Sequence, residues 1–368
     1  MTPRRAAIPL EDQASAVYSF NVPWVESPFF YGILAQKNPP APLAKLATEY
    51  HENGYCILED LLSPDLCDQT IEETRGLYNP HLPDGPRSYY RAQDAWHESA
   101  SVKKVATLPR VLELLEFFYD RKPVPFQTLN FRHGTQQAGH SDSIHFSSLP
   151  ARYMCGAWVA LEDVTVENGP LFYYPGSHKL PELDLYQLGM TLETANYSEY
   201  ERALAALVKH LKLEPKQLTI KKGSGLIWAS NLIHGGSHIS KAGATRWSQV
   251  SHYYFRDCIY YTPFFSNRSF GEYLHRPEVV DIGTGERVKQ TFDGTPFEVQ
   301  PAEGGRVRFV TQRAAGAASA PAATPGQDEL NALRQEIQSI KGSRSYRVGR
   351  ALGTPVRVAR QVLSQIRR

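Results

Sequence analysis

The stretch that constrains this chain most runs from Gln127 to Asp142, Gln-Thr-Leu-Asn-Phe-Arg-His-Gly-Thr-Gln-Gln-Ala-Gly-His-Ser-Asp. It reads as a strand that breaks at a Gly-punctuated turn and delivers a His-x-Asp pair, His140 and Asp142. Residues i and i+2 of a strand share a face, so one imidazole and one carboxylate can aim at a common point. A second histidine from elsewhere would complete a two-histidine, one-carboxylate set, which suits Fe(II) and leaves positions open for further ligands. Alone, a His-x-Asp triplet is a weak signal. Most of the chain downstream reads as completing it.

At 368 residues the chain can bury one large core with an appendage. The 20 tyrosines and 16 phenylalanines tilt it toward sheet. Cys56, Cys67, Cys155 and Cys258 form no C-x-x-C pair, so neither a zinc knuckle nor a disulfide framework is expected. The N-terminus has basic residues but no apolar stretch after them, and no run approaches the ~18 apolar residues of a membrane span. The expected location is the cytoplasm.

Residues 1–40 are rich in Pro and aromatics without a clear period and read as an extended arm packed on the domain. A helix is expected from Pro42 to Asn53, capped by Gly54, then a short strand at Tyr55–Leu58. Ser63-Pro64 starts a second helix, with Ser as N-cap and Pro at the first position. Residues 79–98 read as loop and Val111–Tyr119 as helix. Strands follow at Tyr153–Leu161 and Pro170–Pro175, then a helix from Ser198 to Leu211 with Leu204, Leu207 and Leu211 on one face. Short strands return at Leu218–Lys221, Gly225–Ala229 and Arg246–Phe255, and a further β-like segment spans 257–312 with turns at Thr284-Gly-Glu and Asp293-Gly-Thr. Short strands after a helical start suggest a β-sandwich or jelly roll flanked by helices. The domain is bounded as 41–312, followed by an Ala/Pro-rich linker (313–326) and a tail (327–368). In the tail, Leu330, Leu333, Ile337 and Ile340 keep a/d spacing for two heptads, which leaves a tail-mediated oligomer open. Residues 341–368 carry eight Lys/Arg and no acidic residue; the net +2 of the chain less these eight leaves −6 for residues 1–340.

The preferred second histidine is His234, which follows an apolar strand and precedes Gly-Gly, a pair that lets the backbone pass close to a ligand. Its rival is His238, as His145 is the rival of His140. His178, in Pro-Gly-Ser-His, reads as a turn residue, Trp158 as core, and His252 as a satisfied core histidine. Arg246 and Ser248 share a strand face. A guanidinium can grip a carboxylate with two parallel hydrogen bonds and a hydroxyl can add a third. Such a clamp would hold the far carboxylate of a dicarboxylate such as 2-oxoglutarate, chelated to iron at its 2-oxo acid end.

From about Tyr50 to Phe255 the chain resembles the phytanoyl-CoA dioxygenase family of Fe(II)/2-oxoglutarate oxygenases. The matching pieces are His51-Glu-Asn-Gly-Tyr55, His140-Ser-Asp142, Trp158-Val-Ala-Leu-Glu-Asp163, Asn168-Gly-Pro-Leu171, Pro175-Gly-Ser-His178, His234-Gly-Gly and Arg246-x-Ser248, in the family's order, with Asp142 and His234 92 residues apart. The resemblance implies an α+β, mainly β architecture: a double-stranded β-helix (jelly-roll, cupin-like) core flanked by N-terminal helices, with a C-terminal helical tail. It implies His140, Asp142 and His234 as iron ligands, Arg246 with Ser248 on 2-oxoglutarate, and Gln127 and Asn130 in contact with cosubstrate. It further implies O2-dependent decarboxylation of 2-oxoglutarate to succinate and CO2, coupled to hydroxylation of a substrate. Halogenating relatives lack the carboxylate, so Asp142 favours hydroxylation or a related oxidation.

The tail segment Ser343-Arg-Ser-Tyr-Arg-Val-Gly-Arg350 faintly resembles the end of many bacterial glycosyltransferases and surface-polysaccharide proteins, which points to a small-molecule or sugar-linked substrate. The basic tail could also dock on an anionic membrane surface, at the inner face of the membrane, or on a partner protein. Nucleic acid is not expected, because the basic residues are not interleaved with stacking aromatics. A reading from a different class is a non-catalytic binding module on the same barrel that recognises a glycan or partner.

Overall fold

The computed structural model describes residues 20–311 apart from Pro83 and Leu192. The expected linker, heptads and basic tail lie outside the described residues, as do residues 1–19. Near the start, the segment expected to be extended contains a helix, α1 (Phe30–Lys37). Phe30 is buried between rings, stacked on Trp24 and on His51. Ile33 and Leu34, one turn on, pack against the same core, so the apolar stripe at i, i+3, i+4 makes a helix of the segment. Helix α2 (Ala41–Asn53) ends where Gly54, at φ 83°, turns its N–H back to Tyr50 O at 2.8 Å. A Cβ at Gly54 would also fall 2.5 Å from the His178 ring.

Strand β1 (Tyr55–Leu58) precedes α3 (Pro64–Thr74), whose Leu66 N–H donates to the Ser63 hydroxyl. The expected loop at 79–98 contains strand β2 (Arg91–Gln93). Helix α4 (Ala100–Ala106), capped by Ser99, was not anticipated; α5 (Pro109–Tyr119) follows. Then come β3 (Pro123–Phe131), β4 (Ser147–Leu149), β5 (Met154–Ala160) and β6 (Leu171–Tyr173).

Helix α6 (Tyr197–His210) is capped by Asn196, not Ser198. Its buried stripe is Tyr200, Leu204 and Val208, while Leu211 is exposed; i, i+4 spacing from Tyr200 aims at Leu185 and Ile233. Strands β7 (Lys216–Gln217), β8 (Gly225–Ala229), β9 (His234–Gly236), β10 (Ser248–Phe255), β11 (Ile259–Asn267), β12 (Glu272–His275), β13 (Phe297–Pro301) and β14 (Val307–Thr311) complete the described chain. Ile220, expected in a strand, makes only an isolated bridge to Val164. Bridges Val280–Arg287 and Phe292–Thr295 flank the two expected turns.

The strands form three sheets in the orders β1-β8-β5-β10-β3-β2, β13-β14-β12-β11-β4 and β7-β6-β9. Every pairing is antiparallel, which makes this a mixed α/β fold built on antiparallel sheets. Helices α1, α2 and α5 cover one face of the six-stranded sheet. There Phe118, Tyr119, Tyr253 and Phe255 are fully or almost fully buried, each such side chain contributing about 1.5–3 kcal/mol. The opposite face of β3, β5, β8 and β10 looks toward β6 and β9, and the polar groups of interest lie between them. All four cysteines are buried and unpaired. Among the described residues no helix is long and apolar enough to cross a membrane.

Candidate metal centre

His140 and His234 are joined by a two-way backbone bridge, each N–H donating to the other's carbonyl at 2.9 Å. Asp142 does not continue a strand, as the i, i+2 argument supposed. It opens a single 3-10 turn (Asp142–Ile144), and its carbonyl accepts from His145 and Phe146. The turn swings the carboxylate back over the bridged histidines. His140 Nδ1 donates to Ala138 O and His234 Nδ1 to Leu232 O, both at 3.0 Å. Carbonyls accept only, so each proton sits on Nδ1 and each Nε2 lone pair is left free. Both Nε2 atoms lie 3.9 Å from Asp142 Oδ1, and the three ligand atoms are all within 4.8 Å of one another. Among the described residues, these three are the His, Cys, Asp or Glu side chains placed to share one ion.

The rivals do not join them. His145 Nε2 pairs with the Tyr197 hydroxyl, His238 Nδ1 with Gln136 Oε1, and His178 Nε2 with His51 O.

Electrostatics keep the set ready for a cation. Burial, and then the His234 ring, push the His140 pKa down to about 3, so it is neutral at physiological pH. Burial opposes charge on Asp142, but His234, His252 and His140 together hold its carboxyl well below the ordinary range. Its two oxygens have different tasks. Oδ1 faces the two free Nε2 atoms. Oδ2 accepts from Trp228 Nε1 at 2.8 Å and lies 3.6 Å from His252 Nε2. Trp228 and His252 therefore orient the carboxylate, the kind of outer contact that tunes a metal ligand. Space for the indole comes from Gly156 on the neighbouring strand, where a Cβ would fall 2.3 Å from the Trp228 ring.

Arg246 sits just before β10 with its N–H on Arg132 O. It is 1% exposed, its guanidinium lies 5.5 Å from the Trp158 ring centre, and it lines the same narrow cavity as the three ligands. Its Nε and Nη1 have no hydrogen-bond partner, nor does Trp158 Nε1. Burial, only partly offset by Glu162, lowers the Arg246 pKa to about 10. Buried donors are nearly always paired, so this unpaired fork points to an absent anionic partner. Ser248 shares the β10 face of Val250 and His252, and its Oγ lies 3.4 Å from Arg246 O.

Gln127 and Asn130 part company. They are three residues apart on β3, and alternation sends them to opposite faces. Gln127 faces the metal centre, its Oε1 holding His252 Nδ1 at 3.0 Å. Asn130 is turned away: its Nδ2 donates to Gln249 Oε1, and Gln249 in turn reaches Val102 O of α4. The expectation of Asn130 on a cosubstrate is corrected accordingly. Sequence reading did not single out His252 or Trp228 for this site, nor the indole N–H of Trp158; all three act through cross-strand register.

A second, wider chamber of ≈ 400 Å³ meets the narrow cavity at His140, Asp142 and His252. Its other walls include Arg91, Gln93, Gln127, Thr262 and Arg276. A larger open groove of ≈ 620 Å³ beside α2 and β1 contains none of these groups.

Comparison with known proteins places this site in context. The family described as Phytanoyl-CoA dioxygenase (PhyH) matches residues 50–246. Human peroxisomal phytanoyl-CoA dioxygenase is 25% identical over 256 residues, covering 65% of this chain and 71% of that protein. A phytanoyl-CoA dioxygenase domain-containing protein 1 homolog of Caenorhabditis elegans is 25% identical over 130 residues, with 30% of this chain and 42% of that protein covered. The solved structure of SnoN, a non-heme alpha ketoglutarate dependent epimerase from nogalamycin biosynthesis, aligns with a TM-score of 0.50 at 21% identity. The alignment covers 74% of this chain and 99% of that one, and it shows a shared fold.

Proposed function

The chain belongs to the phytanoyl-CoA dioxygenase family, and from that premise we propose that it is a non-haem Fe(II)/2-oxoglutarate-dependent dioxygenase that hydroxylates a small-molecule or sugar-linked substrate. The observation that carries the reading is one cavity holding two imidazoles with free Nε2 atoms, an ionised carboxylate and an unpaired buried guanidinium. These residues fit the cofactor set. His140, Asp142 and His234 would hold Fe(II), and Arg246 would take the far carboxylate of 2-oxoglutarate beside Ser248 and Trp158. Bound there, iron with 2-oxoglutarate and O2 supplies the oxidising chemistry, yielding succinate and CO2.

What the chain supplies is position and shielding. Ala138 O and Leu232 O fix the imidazole tautomers, and Trp228 holds Asp142 Oδ2, which would leave Oδ1 for the ion. The walls Leu129, Phe131, Leu171 and Val250 exclude water around the cosubstrate. Gln127 and His252 stand at the junction with the wider chamber, where the substrate would enter. The finer fold assignment, a double-stranded β-helix with the six-stranded sheet facing β6 and β9 across the site, belongs to the same proposal. So does docking of tail 341–368 on an anionic membrane surface, which co-sedimentation with vesicles containing phosphatidylserine would test. A purely binding module on this barrel would need neither the ligand set nor the guanidinium.

Anaerobic titration with Fe(II) and 2-oxoglutarate tests the assignment. A weak visible metal-to-ligand charge-transfer band is expected in the wild type and not in His140→Ala or Asp142→Ala. Iron-loaded wild type without the band would overturn it.

A further inference from the structure

The metal centre opens on two sides, and each side has its own arginine. Elsewhere the protein pairs the arginines it withdraws from solvent. Arg152 is matched with Glu26, Arg256 with Asp281, Arg268 with Asp184, and Arg306 with Glu272. Arg246, in the narrow cavity, departs from this rule. Among the described residues Arg276, in the wide chamber, is the other partly buried arginine that does so. Among the described residues no carboxylate lies within ion-pair distance of it. Its Nε is buried without a partner, and its Nη1 makes one long contact, 3.4 Å, to Thr262 Oγ1.

Arg276 is held in place all the same. Its N–H donates to Tyr260 O at 2.9 Å and its carbonyl accepts from Gln290 Nε2 at 2.7 Å. Its guanidinium lies 4.9 Å from the Phe146 ring centre and 5.9 Å from that of Phe126, within the range of a cation–π contact. Arg91 lines the same chamber, and its partner Asp84 is 88% exposed. Such a pair is screened and weak, which leaves most of the charge of Arg91 available to the chamber. Both guanidiniums line this one chamber, together with His140, Asp142 and His252.

Resting on the proposed reading of the metal centre, we infer that the substrate carries an oxyanion group, a carboxylate or a phosphate ester, and that Arg276 grips it with Arg91 adding to the field. Among the described residues the one acidic wall of the chamber is Asp142, which this reading commits to the ion. A cationic substrate would therefore meet no counterion. A wholly apolar one would leave the buried Nε of Arg276 without a partner, at a cost in desolvation. Gln93, Gln127, Gln137 and Thr262 add neutral donors and acceptors around the same space, suited to hydroxyl groups on the rest of the molecule.

The test uses three probes on one scaffold: glucose 6-phosphate, glucuronate and glucose. Each is titrated calorimetrically, without oxygen, into the full-length protein loaded with Fe(II) and 2-oxoglutarate, and also into the metal-free protein. At least one acid should bind more tightly than glucose in both forms, and its charge type identifies the group. Arg276→Gln should weaken that acid by about tenfold or more, and Arg276→Lys, which keeps the charge and loses the fork, by less. Binding of 2-oxoglutarate, read from the charge-transfer band, should persist in both variants. The inference is overturned if neither acid outbinds glucose, if both variants bind the acid as the wild type does, or if 2-oxoglutarate binding falls with Arg276. Should Arg276→Gln melt at low temperature, the lysine variant decides. Absence of the charge-transfer band in wild type would sink the metal reading alone, while the metal-free titrations would still report on the anion site.

Discussion

Replacing Arg246 by methionine should move two measurements in opposite directions. Without a ligand beside it the guanidinium is buried with two unpaired donors, and burial lowers its pKa from the ordinary arginine value to about 10. At about 1.4 kcal/mol per pH unit, holding that charge in place costs about 3 kcal/mol. The unfolded chain binds this proton more tightly than the folded one. Stability therefore climbs as pH rises above about 10 toward the ordinary arginine value, and the full cost is present at neutral pH. Methionine is of similar length and carries no charge, so the ligand-free variant should gain up to about 3 kcal/mol, at roughly 2–4 °C of melting temperature per kcal/mol. With 2-oxoglutarate the sign reverses. Removing one partner of a buried, hydrogen-bonded charge pair costs roughly 2–5 kcal/mol, or about thirtyfold to several thousandfold in Kd. Thermal melts of the iron-loaded protein, without oxygen and with and without 2-oxoglutarate, read both effects. Wild type should melt higher with the dicarboxylate. The variant should melt higher without it and gain nothing on its addition. A variant that melts lower when empty, or that keeps the wild-type response to 2-oxoglutarate, would make Arg246 a structural residue and refute the reasoning.

Trp228→Phe keeps the ring but removes the hydrogen bond on Asp142 Oδ2; Fe(II) affinity should fall about 10- to 100-fold, measured by anaerobic competition with a chromogenic chelator. Gly156→Ala should produce a related loss by pressing a methyl group into the Trp228 ring, with about 1–3 kcal/mol of overpacking seen in chemical denaturation. His178 is buried with its pKa lowered to about 3. The unfolded chain therefore takes up more protons between about pH 6.5 and 3, and stability falls as pH drops through that window. His178→Gln should flatten the acid limb of stability against pH by a few kcal/mol; an unchanged limb would show that His178 does not carry it.

The candidate ligand set was legible because its members sit in short motifs, His140 and Asp142 sharing a His-x-Asp triplet. His234 follows Gly225–Ala229 and precedes two glycines, and Arg246 opens a strand of buried residues. What stayed hidden depends on which residue faces which across a sheet. His252 matters because β10 is registered with Gln127 opposite it and Asp142 beyond, and no local motif encodes that register. Trp228 lies in the expected strand Gly225–Ala229, but its bond to Asp142 needs the space left by Gly156 one strand away. Asn130 was misplaced although strand parity alone separates it from Gln127. Helix α1 escaped notice because its aromatic run has no polar face to mark a period. Arg276 lies in a stretch with no motif, and only the absence of a carboxylate near it makes it conspicuous.

The buried cysteines have a consequence for the durability of such an enzyme. Burial raises every thiol: Cys67 to about 11, Cys258 to about 12, Cys56 and Cys155 further still. Peroxide attacks the thiolate, and oxidation begins there. At neutral pH this chain therefore offers almost no thiolate to the reactive oxygen that idle turnover of an oxygenase releases. Purification and assay can accordingly dispense with thiol reductants, which compete for Fe(II), and slow inactivation in air should leave the cysteine content unchanged.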